Sequence, residues 1–504
     1  MKTNITTVHQ IKVNLRGGIV AVGDLLPILE ILQQVGIREI RFGTRQQLYF
    51  EVNADELEQI EYGFLSTDSE FEIDNDDYPN IVSSYVTDDL FTQSTWLREG
   101  VYRDVLDSFN YKPKLKVNLV DNSQSLVPLF TGNLNFISSE VSNYWYLYVR
   151  FPKTNILYCW SSLIYSFDIS SVCQNIEEVI GEESGIFVGC EEVDGVLLEE
   201  KVKSKGNYFS QALTTLLTTD EFQLPYYEGF NRYNDKFWLG IYRRSELFTV
   251  DFLSDICTVC AKTRIAQIYT TPWKSIIIKG IQASDRKLWN GVLNKHRINV
   301  RHASNELNWQ TEDVCNYGLA LKHELIFHFN QMDLRTFKLC FAIKTNPKSS
   351  LFGSIIIKQL FLDTDGEWFD VLHTVDFNPN SKNLICYEHK VPRSGLIGTL
   401  TSLCNYYYEL QETKSNLSIF DHVDYASVNE GSHEVVVIHQ CMKCLSLYDP
   451  EWGDEIANIA AGVTFAALDD TYCCSICNAG KECFVAVNKK TLAAINAVRI
   501  EFNE

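Results

Sequence analysis

The sequence predicts an α+β protein, a long duplicated body of strands and helices followed by a small cysteine-rich C-terminal domain. Three observations carry this. A strand–helix–strand pattern over 10–52 returns over 237–281 at a constant offset of 228 residues, the difference between 268 and 40. Self-similarity at a fixed offset is the mark of internal duplication. The segment Ala426-Ser427-Val428-Asn429-Glu430-Gly431-Ser432 is small and polar and reads as a linker. Beyond it lie six of the fifteen cysteines, five of them within 441–477.

The elements follow in order. Ile11-Lys12-Val13-Asn14-Leu15 alternates as a strand and leads into Arg16-Gly17-Gly18. Asp24 offers an N-cap, Leu25, Ile28, Leu29 and Leu32 recur at helical spacing, and Gly36 closes the helix. Residues 37–52 read mostly as strand. The acidic stretch 68–77, with Glu70, Glu72, Asp74 and Asp76 inside it, reads as a solvated loop. Helical 95–109 leads to a strand at 114–119. In the second copy, 237–242 is strand-like, 248–266 is helical and 268–278 aligns with 40–50. Helical 313–330 then leads to a strand within 337–344.

Composition excludes several functions. Lys and Arg number 44 against 65 Asp and Glu, a net charge of −21. Binding to nucleic acid or an anionic membrane needs a basic surface, so neither is expected as a partner. No apolar run approaches the ~18 residues that would span a bilayer. Nor does an apolar run of about 7–15 residues follow the start, as a secretory signal would require. Reduced thiols and a cytoplasmic protein are the expectation. Neither a GxGxxG nor a Walker loop is present, so no dinucleotide or ATP site is expected.

Cys441-Met442-Lys443-Cys444 and Cys474-Ser475-Ile476-Cys477 are two CxxC knuckles. In each, a tight turn presents two thiolates, and two facing knuckles make a tetrahedral sulfur site suited to zinc or to a single iron. Between them run Leu447-Tyr448-Asp449-Pro450-Glu451-Trp452-Gly453-Asp454, then Ile459, Gly462-Val463-Thr464-Phe465 and Leu468-Asp469-Asp470-Thr471-Tyr472. This run resembles rubredoxin without a gap from Cys441 to Cys477. The resemblance implies a mononuclear iron held by Cys441, Cys444, Cys474 and Cys477 for one-electron transfer, with Tyr448, Phe465 and Tyr472 packed behind it. Leu445 and Asn478 stand where the family has Gly, and Ser475 where it has Pro. Cys473 and Cys483 are read as bystanders.

The body resembles the nitrite and sulfite reductases over roughly 8–410. The likeness is carried by Leu15-Arg16-Gly17-Gly18-Ile19-Val20, Arg41-Phe42-Gly43-Thr44-Arg45-Gln46, Asn80-Ile81-Val82-Ser83-Ser84, Lys114-Leu115-Lys116 and Thr271-Pro272-Trp273-Lys274. It implies two ferredoxin-like half-domains at 1–60 and 226–285, each followed by a larger α/β domain, at 61–225 and 286–425, with the rubredoxin domain at 433–490. Family enzymes hold sirohaem bridged to a [4Fe-4S] cluster. Arg45, Lys114 and Lys116 match basic residues that bind the macrocycle and the oxyanion, and are expected to converge on one concave surface. An arginine expected before Asn80 is Pro79, with Arg103 a substitute in space.

The cluster ligands depart from the pattern. Cys315 fits one of four cysteine positions; Trp309, Asn346 and Ser350 occupy the others. One thiolate does not hold a four-iron cluster. Cys257-Thr258-Val259-Cys260 lies in an apolar helical run and reads as core. His323 and His328 flank Glu324 at a spacing that does not suit a metal. The expected function is one-electron transfer by a rubredoxin-type iron, fused to a reductase-like body that has lost its cluster. The expected partner is a redox enzyme of inorganic nitrogen or sulfur assimilation. Two alternatives stand beside it. One is a sirohaem-binding nitrite/sulfite reductase-like oxidoreductase fed by the rubredoxin, and the other a zinc-holding scaffold without redox activity.

Overall fold

In strand Leu48–Asn53, Leu48, Phe50 and Val52 are buried while Tyr49, Glu51 and Asn53 are not. Such alternation fits a sheet with one face on a core. The computed structural model describes residues 7–488 apart from 68, 93, 95, 220, 301, 304, 347–351, 362–365, 422–436, 444, 445, 455, 458, 477 and 478. The chain divides into two units, Met1–Thr413 and Lys414–Glu504.

The first unit contains the duplication in full. Strand Val8–Val13 and helix Val22–Val35 recur as Lys236–Ile241 and Val250–Thr263, 228 residues on. Pairing recurs at the same offset: Arg41 opposes Tyr49 and Phe42 opposes Leu48, as Tyr269 opposes Ile277 and Thr270 opposes Ile276. Even the connecting turn repeats, with left-handed Gln46 (φ 64°) and Lys274 (φ 55°) at matching positions.

The two copies exchange a strand. Ile19–Ala21 leaves the first copy to pair with Gln267–Thr270 of the second, and Phe248–Thr249 returns to pair with Glu39–Phe42. Each small sheet therefore has five strands, one of them borrowed. The exchange explains how the first helix starts. It begins at Val22 after Ala21, ahead of the expected cap at Asp24, and no side chain caps it. The Val22 N–H instead donates to the Ala266 carbonyl at 2.9 Å, and Val250 N–H donates to Arg38 in the mirror arrangement at 2.8 Å. A buried N–H with such a partner needs no cap. Gly36 closes the helix with φ 92°, as the sequence predicts. Leu25, Leu29 and Leu32 then share one core with Leu253, Ile256 and Cys260.

The acidic stretch differs from its expected solvated loop. Phe71–Ile73 joins the sheet beside Val8–Val13. Lys12 is only 2% exposed, and Glu72 and Asp76 lie 3.1 and 2.6 Å from its ammonium. A buried ammonium requires counter-charge, which draws part of the acidic segment inward.

Two larger sheets follow the small ones. In the first, Val82–Ser83, Val117–Val120 and Leu134–Ser138 run parallel, and Tyr144–Arg150 and Ser162–Tyr165 continue antiparallel. In the second, Trp309–Thr311, Phe341–Lys344 and Ile355–Leu360 run parallel, and Trp368–Thr374 and Leu384–Pro392 continue antiparallel. Helices Glu99–Asp107 and Asn316–Gln331 bridge corresponding parallel strands. The C-terminal unit has one three-stranded sheet, Leu447–Tyr448, Val437–Cys441 and Phe484–Asn488, with Val437–Cys441 in the middle.

Candidate metal centre and body cavity

Strand Val437–Cys441 delivers Cys441 to the edge of a buried cluster that also contains Cys474. The Cys441 N–H donates to the Ser446 carbonyl at 2.8 Å, and the Cys474 N–H to the Ala479 carbonyl at 2.7 Å. Each bond ties the first cysteine of a knuckle to the residue five positions on. The knuckles meet where Ser446 Oγ lies 3.0 Å from Cys474 Sγ, 28 residues away in sequence. Cys441 and Cys474 are 0% and 1% exposed, and no disulfide links the described cysteines. Cys444 and Cys477 lie outside the described residues. Two dry sulfur donors in one buried cluster would supply half of a four-thiolate metal site.

Aromatic rings form the remaining core. Tyr448, Phe465 and Tyr472 contact one another with centroids 5.5–6.1 Å apart. The sequence reading missed two further members. Phe484 lies 5.1 Å from Phe465, and the His439 ring stacks on Phe465 at 4.0 Å. Tyr448 donates its hydroxyl to the Val463 carbonyl and Tyr472 to Asp454, so both phenols are satisfied. Gly453 (φ 68°) closes the loop from Asp449, and a Cβ there would sit 2.4 Å from the Ile459 carbonyl oxygen. Only glycine takes that place without displacement.

The body holds a cavity of about 410 Å³ lined by Arg45, Gln47, Lys116, Cys315 and Asn346 among others. Arg45 is buried and turned into the wall. Its guanidinium donates to the Asn80 carbonyl (2.7 and 3.2 Å), the Val117 carbonyl (3.0 Å) and Asn118 Oδ1 (3.2 Å). Burial pulls its pKa down to about 10. Lys116 is pushed down to about 8, by burial first and then by Arg45. Lys114 is exposed, its backbone N–H donates to Glu177, and it does not line the cavity. The structure thus brings Arg45 and Lys116 together and leaves Lys114 aside. Pro79 is buried, while Arg103 pairs with Glu99 at 2.6 Å and lines a different cleft.

Carboxylates that the sequence reading did not place at the site, Asp76 having been read as part of a solvated loop, face the same space. Asp76, Glu312 and Asp313 line it. Glu312 accepts from the Thr345 N–H, the Thr345 hydroxyl and the Asn346 N–H. Asp313 accepts from the Thr44 N–H and hydroxyl at 2.9 and 3.0 Å, and burial raises its pKa. Lys274, itself buried, lies 2.8 Å from Glu246 and 3.8 Å from Asp313. Further cations gather nearby. Arg150 is lowered by burial, and half-buried Lys382 is lowered to about 7 by burial and by Arg150.

The donors do not fit a four-iron cluster. Cys315 Sγ accepts from the Gly318 N–H at 3.3 Å and lies 3.5 Å from the Thr345 hydroxyl. Trp309 is buried, stacked on Phe341 at 4.3 Å. Asn346 is exposed, and Ser350 lies outside the described residues. For sirohaem the fit is mixed. Lys116 faces the cavity, but the Arg45 donors are engaged and three carboxylates line the same walls. Cys257 and Cys260 are buried in the shared core, with Cys257 pushed up to about 12 by burial. His323 contacts the Arg244 carbonyl at 3.0 Å.

Comparison with known proteins separates the two units. A rubredoxin family model matches residues 438–484. Rubredoxin-2 of Chlorobaculum tepidum is 42% identical over 48 residues, 92% of its length and 10% of this chain. The probable rubredoxin HupI of Bradyrhizobium diazoefficiens is 44% identical over 48 residues, 70% of its length and 10% of this chain. The high molecular weight rubredoxin of Moorella thermoacetica is 46% identical over 46 residues, 20% of its length and 9% of this chain. Among solved structures, the NirA protein of Mycobacterium tuberculosis superimposes with a TM-score of 0.59 and 12% identity, covering 78% of this chain and 80% of that one. At that identity the likeness is one of fold alone.

Proposed function

Because the chain belongs to the rubredoxin family through residues 438–484, we propose that it carries single electrons on an iron held by Cys441, Cys444, Cys474 and Cys477. The observation behind this reading is the meeting of the two knuckles at Ser446 and Cys474 inside the matched span. Bound there, iron supplies a ferric/ferrous couple. The chain's residues define its setting. Buried Cys441 and Cys474 present sulfur away from water, and Tyr448, Phe465 and Tyr472 form a dry core beside them.

The body, in this reading, has lost its [4Fe-4S] cluster and serves as a docking or anion-binding scaffold, divided at 1–60, 61–225, 226–285 and 286–425 and followed by the rubredoxin domain at 433–490. Glu312 ties Thr345 and Asn346 where the family places ligands, which supports the loss. The partner we assign is a cytoplasmic redox enzyme of inorganic nitrogen or sulfur assimilation, a context drawn from the body's fold.

Metal analysis and a visible spectrum after iron-replete expression test the proposal. One iron per chain is expected, in a red protein that bleaches on reduction. Cys444→Ser should weaken the site and shift the spectrum. A colourless protein with stoichiometric zinc overturns the reading in favour of a scaffold. Acid-labile sulfide after anaerobic preparation tests the body, where about four sulfides per chain would contradict cluster loss.

One observation favours a second reading, a sirohaem-binding reductase. Lys116 faces the cavity, its pKa lowered by burial and by Arg45, and Lys382 is lowered by burial and by Arg150, so cations there are held close to one another. Saturable sirohaem binding that is lost in Arg45→Ala/Lys116→Ala would support it, and no binding would leave the body a scaffold.

A further inference from the structure

Ser446 follows the first knuckle, yet its hydroxyl reaches a sulfur of the second. Oγ lies 3.0 Å from Cys474 Sγ, and Cys474 is 1% exposed. As atoms alone, either could donate. A sulfur that binds metal as a thiolate has no proton to give, so in the loaded protein the hydroxyl is the donor. We propose that Ser446 sets the redox balance of the centre by donating its O–H to the Cys474 thiolate, favouring the ferrous over the ferric state.

The inference rests on the iron reading above. It follows from charge. One electron, delivered by a reduced one-electron donor protein, converts ferric to ferrous iron and makes the four-thiolate centre more negative by one charge. No bond to iron forms or breaks, and the Ser446 proton remains on its oxygen. A hydrogen bond to an ionised acceptor strengthens as the acceptor gains negative charge, and hydrogen bonds to the sulfurs are among the factors that set the potentials of iron–thiolate centres. Exclusion of water from Cys474 leaves the bond little screened. Ser446 is therefore a positioning residue for the sulfur and not a metal ligand.

The backbone at Ser446 already has its own duty, accepting the Cys441 N–H at 2.8 Å. Ser446→Ala and Ser446→Gly keep that carbonyl and remove only the hydroxyl; Ser446→Thr retains a hydroxyl. The measurement is an equilibrium redox titration of full-length iron-loaded protein, with the visible spectrum recorded alongside. Removing the hydroxyl should lower the equilibrium constant for reduction about tenfold, about 59 mV for one electron. The sulfur-to-iron charge-transfer band should move to longer wavelength. Ser446→Thr should stay close to wild type in both readouts. If Ser446→Ala does not take up iron, Ser446→Gly gives the same comparison. An unchanged potential in the hydroxyl-free variants, or Ser446→Thr behaving like them, overturns the inference. Failure of the iron reading looks different: wild type itself is then colourless and holds zinc.

Discussion

Arg45 and Lys116 line one cavity but are stabilised in different ways. The Arg45 guanidinium is wrapped by the carbonyls of Asn80 and Val117, which replace the water it lost. Lys116 makes no ion pair among the described residues, and burial with Arg45 beside it depresses its pKa from 10.5 to about 8. A depressed lysine disfavours its own charged form in the folded state. The penalty is full below about pH 8, shrinks as pH rises, and vanishes above 10.5, where folded and unfolded chains are both neutral. Lys116→Gln should therefore stabilise the body at pH 7, by about 1 kcal/mol once solvent contact is allowed for. Urea unfolding from pH 7 to 10.5 checks this, and a variant less stable than wild type at pH 7 refutes it. Lys116 could be singled out in the sequence because the motif around Lys114 and Lys116 resembles a known one. Asp76, Glu312 and Asp313 could not, because carboxylates in polar segments look alike whether they face solvent or seal a cavity. Lys12 illustrates the same limit: nothing in its strand pattern announces an ammonium that draws Glu72 and Asp76 inward.

Among the elements, the exchanged strands decide how the body folds. Ile19–Ala21 has three residues and Phe248–Thr249 two. Runs this short carry no period, so the duplication was legible in the sequence while the exchange was not. The consequences are large for elements so small. Without the second copy, the sheet holding Glu39–Phe42 loses its edge partner, and Ile19–Ala21 loses the strand it pairs with. Leu25, Leu29 and Leu32 would also face water in place of Leu253 and Ile256. Uncovered strand edges and apolar helix faces drive association. Residues 1–225 expressed alone should aggregate or form dimers in which each chain supplies the missing strand. Co-expression with 226–413 should restore a soluble complex. Size-exclusion chromatography with light scattering distinguishes these results. A stable, monomeric 1–225 would show that the exchange is dispensable.

At the scale of the whole molecule, the body has cores of many residues, whereas the described residues of the C-terminal unit bury little apolar material. Its main cluster is Tyr448, Phe465, Leu468 and Tyr472 with a few partly buried neighbours. Domains below about 70 residues, as the matched span 438–484 is, rarely hold together on such a core without a disulfide or a metal, and no disulfide links the described cysteines. Metal binding should then supply much of the folding free energy of this unit. Calorimetry of the full chain should show a small transition that disappears in metal-stripped protein and returns on reloading with iron. Gly453→Ala provides an independent handle on the same transition. Its Cβ would meet the Ile459 carbonyl oxygen at 2.4 Å, on a backbone held at φ 68°. The added methyl should lower the stability of the loaded unit by about 1–3 kcal/mol and shift the small transition to lower temperature without changing its metal content. If that transition survives unchanged in metal-free protein, the aromatic cluster suffices by itself, and the metal has an electronic role without a structural one.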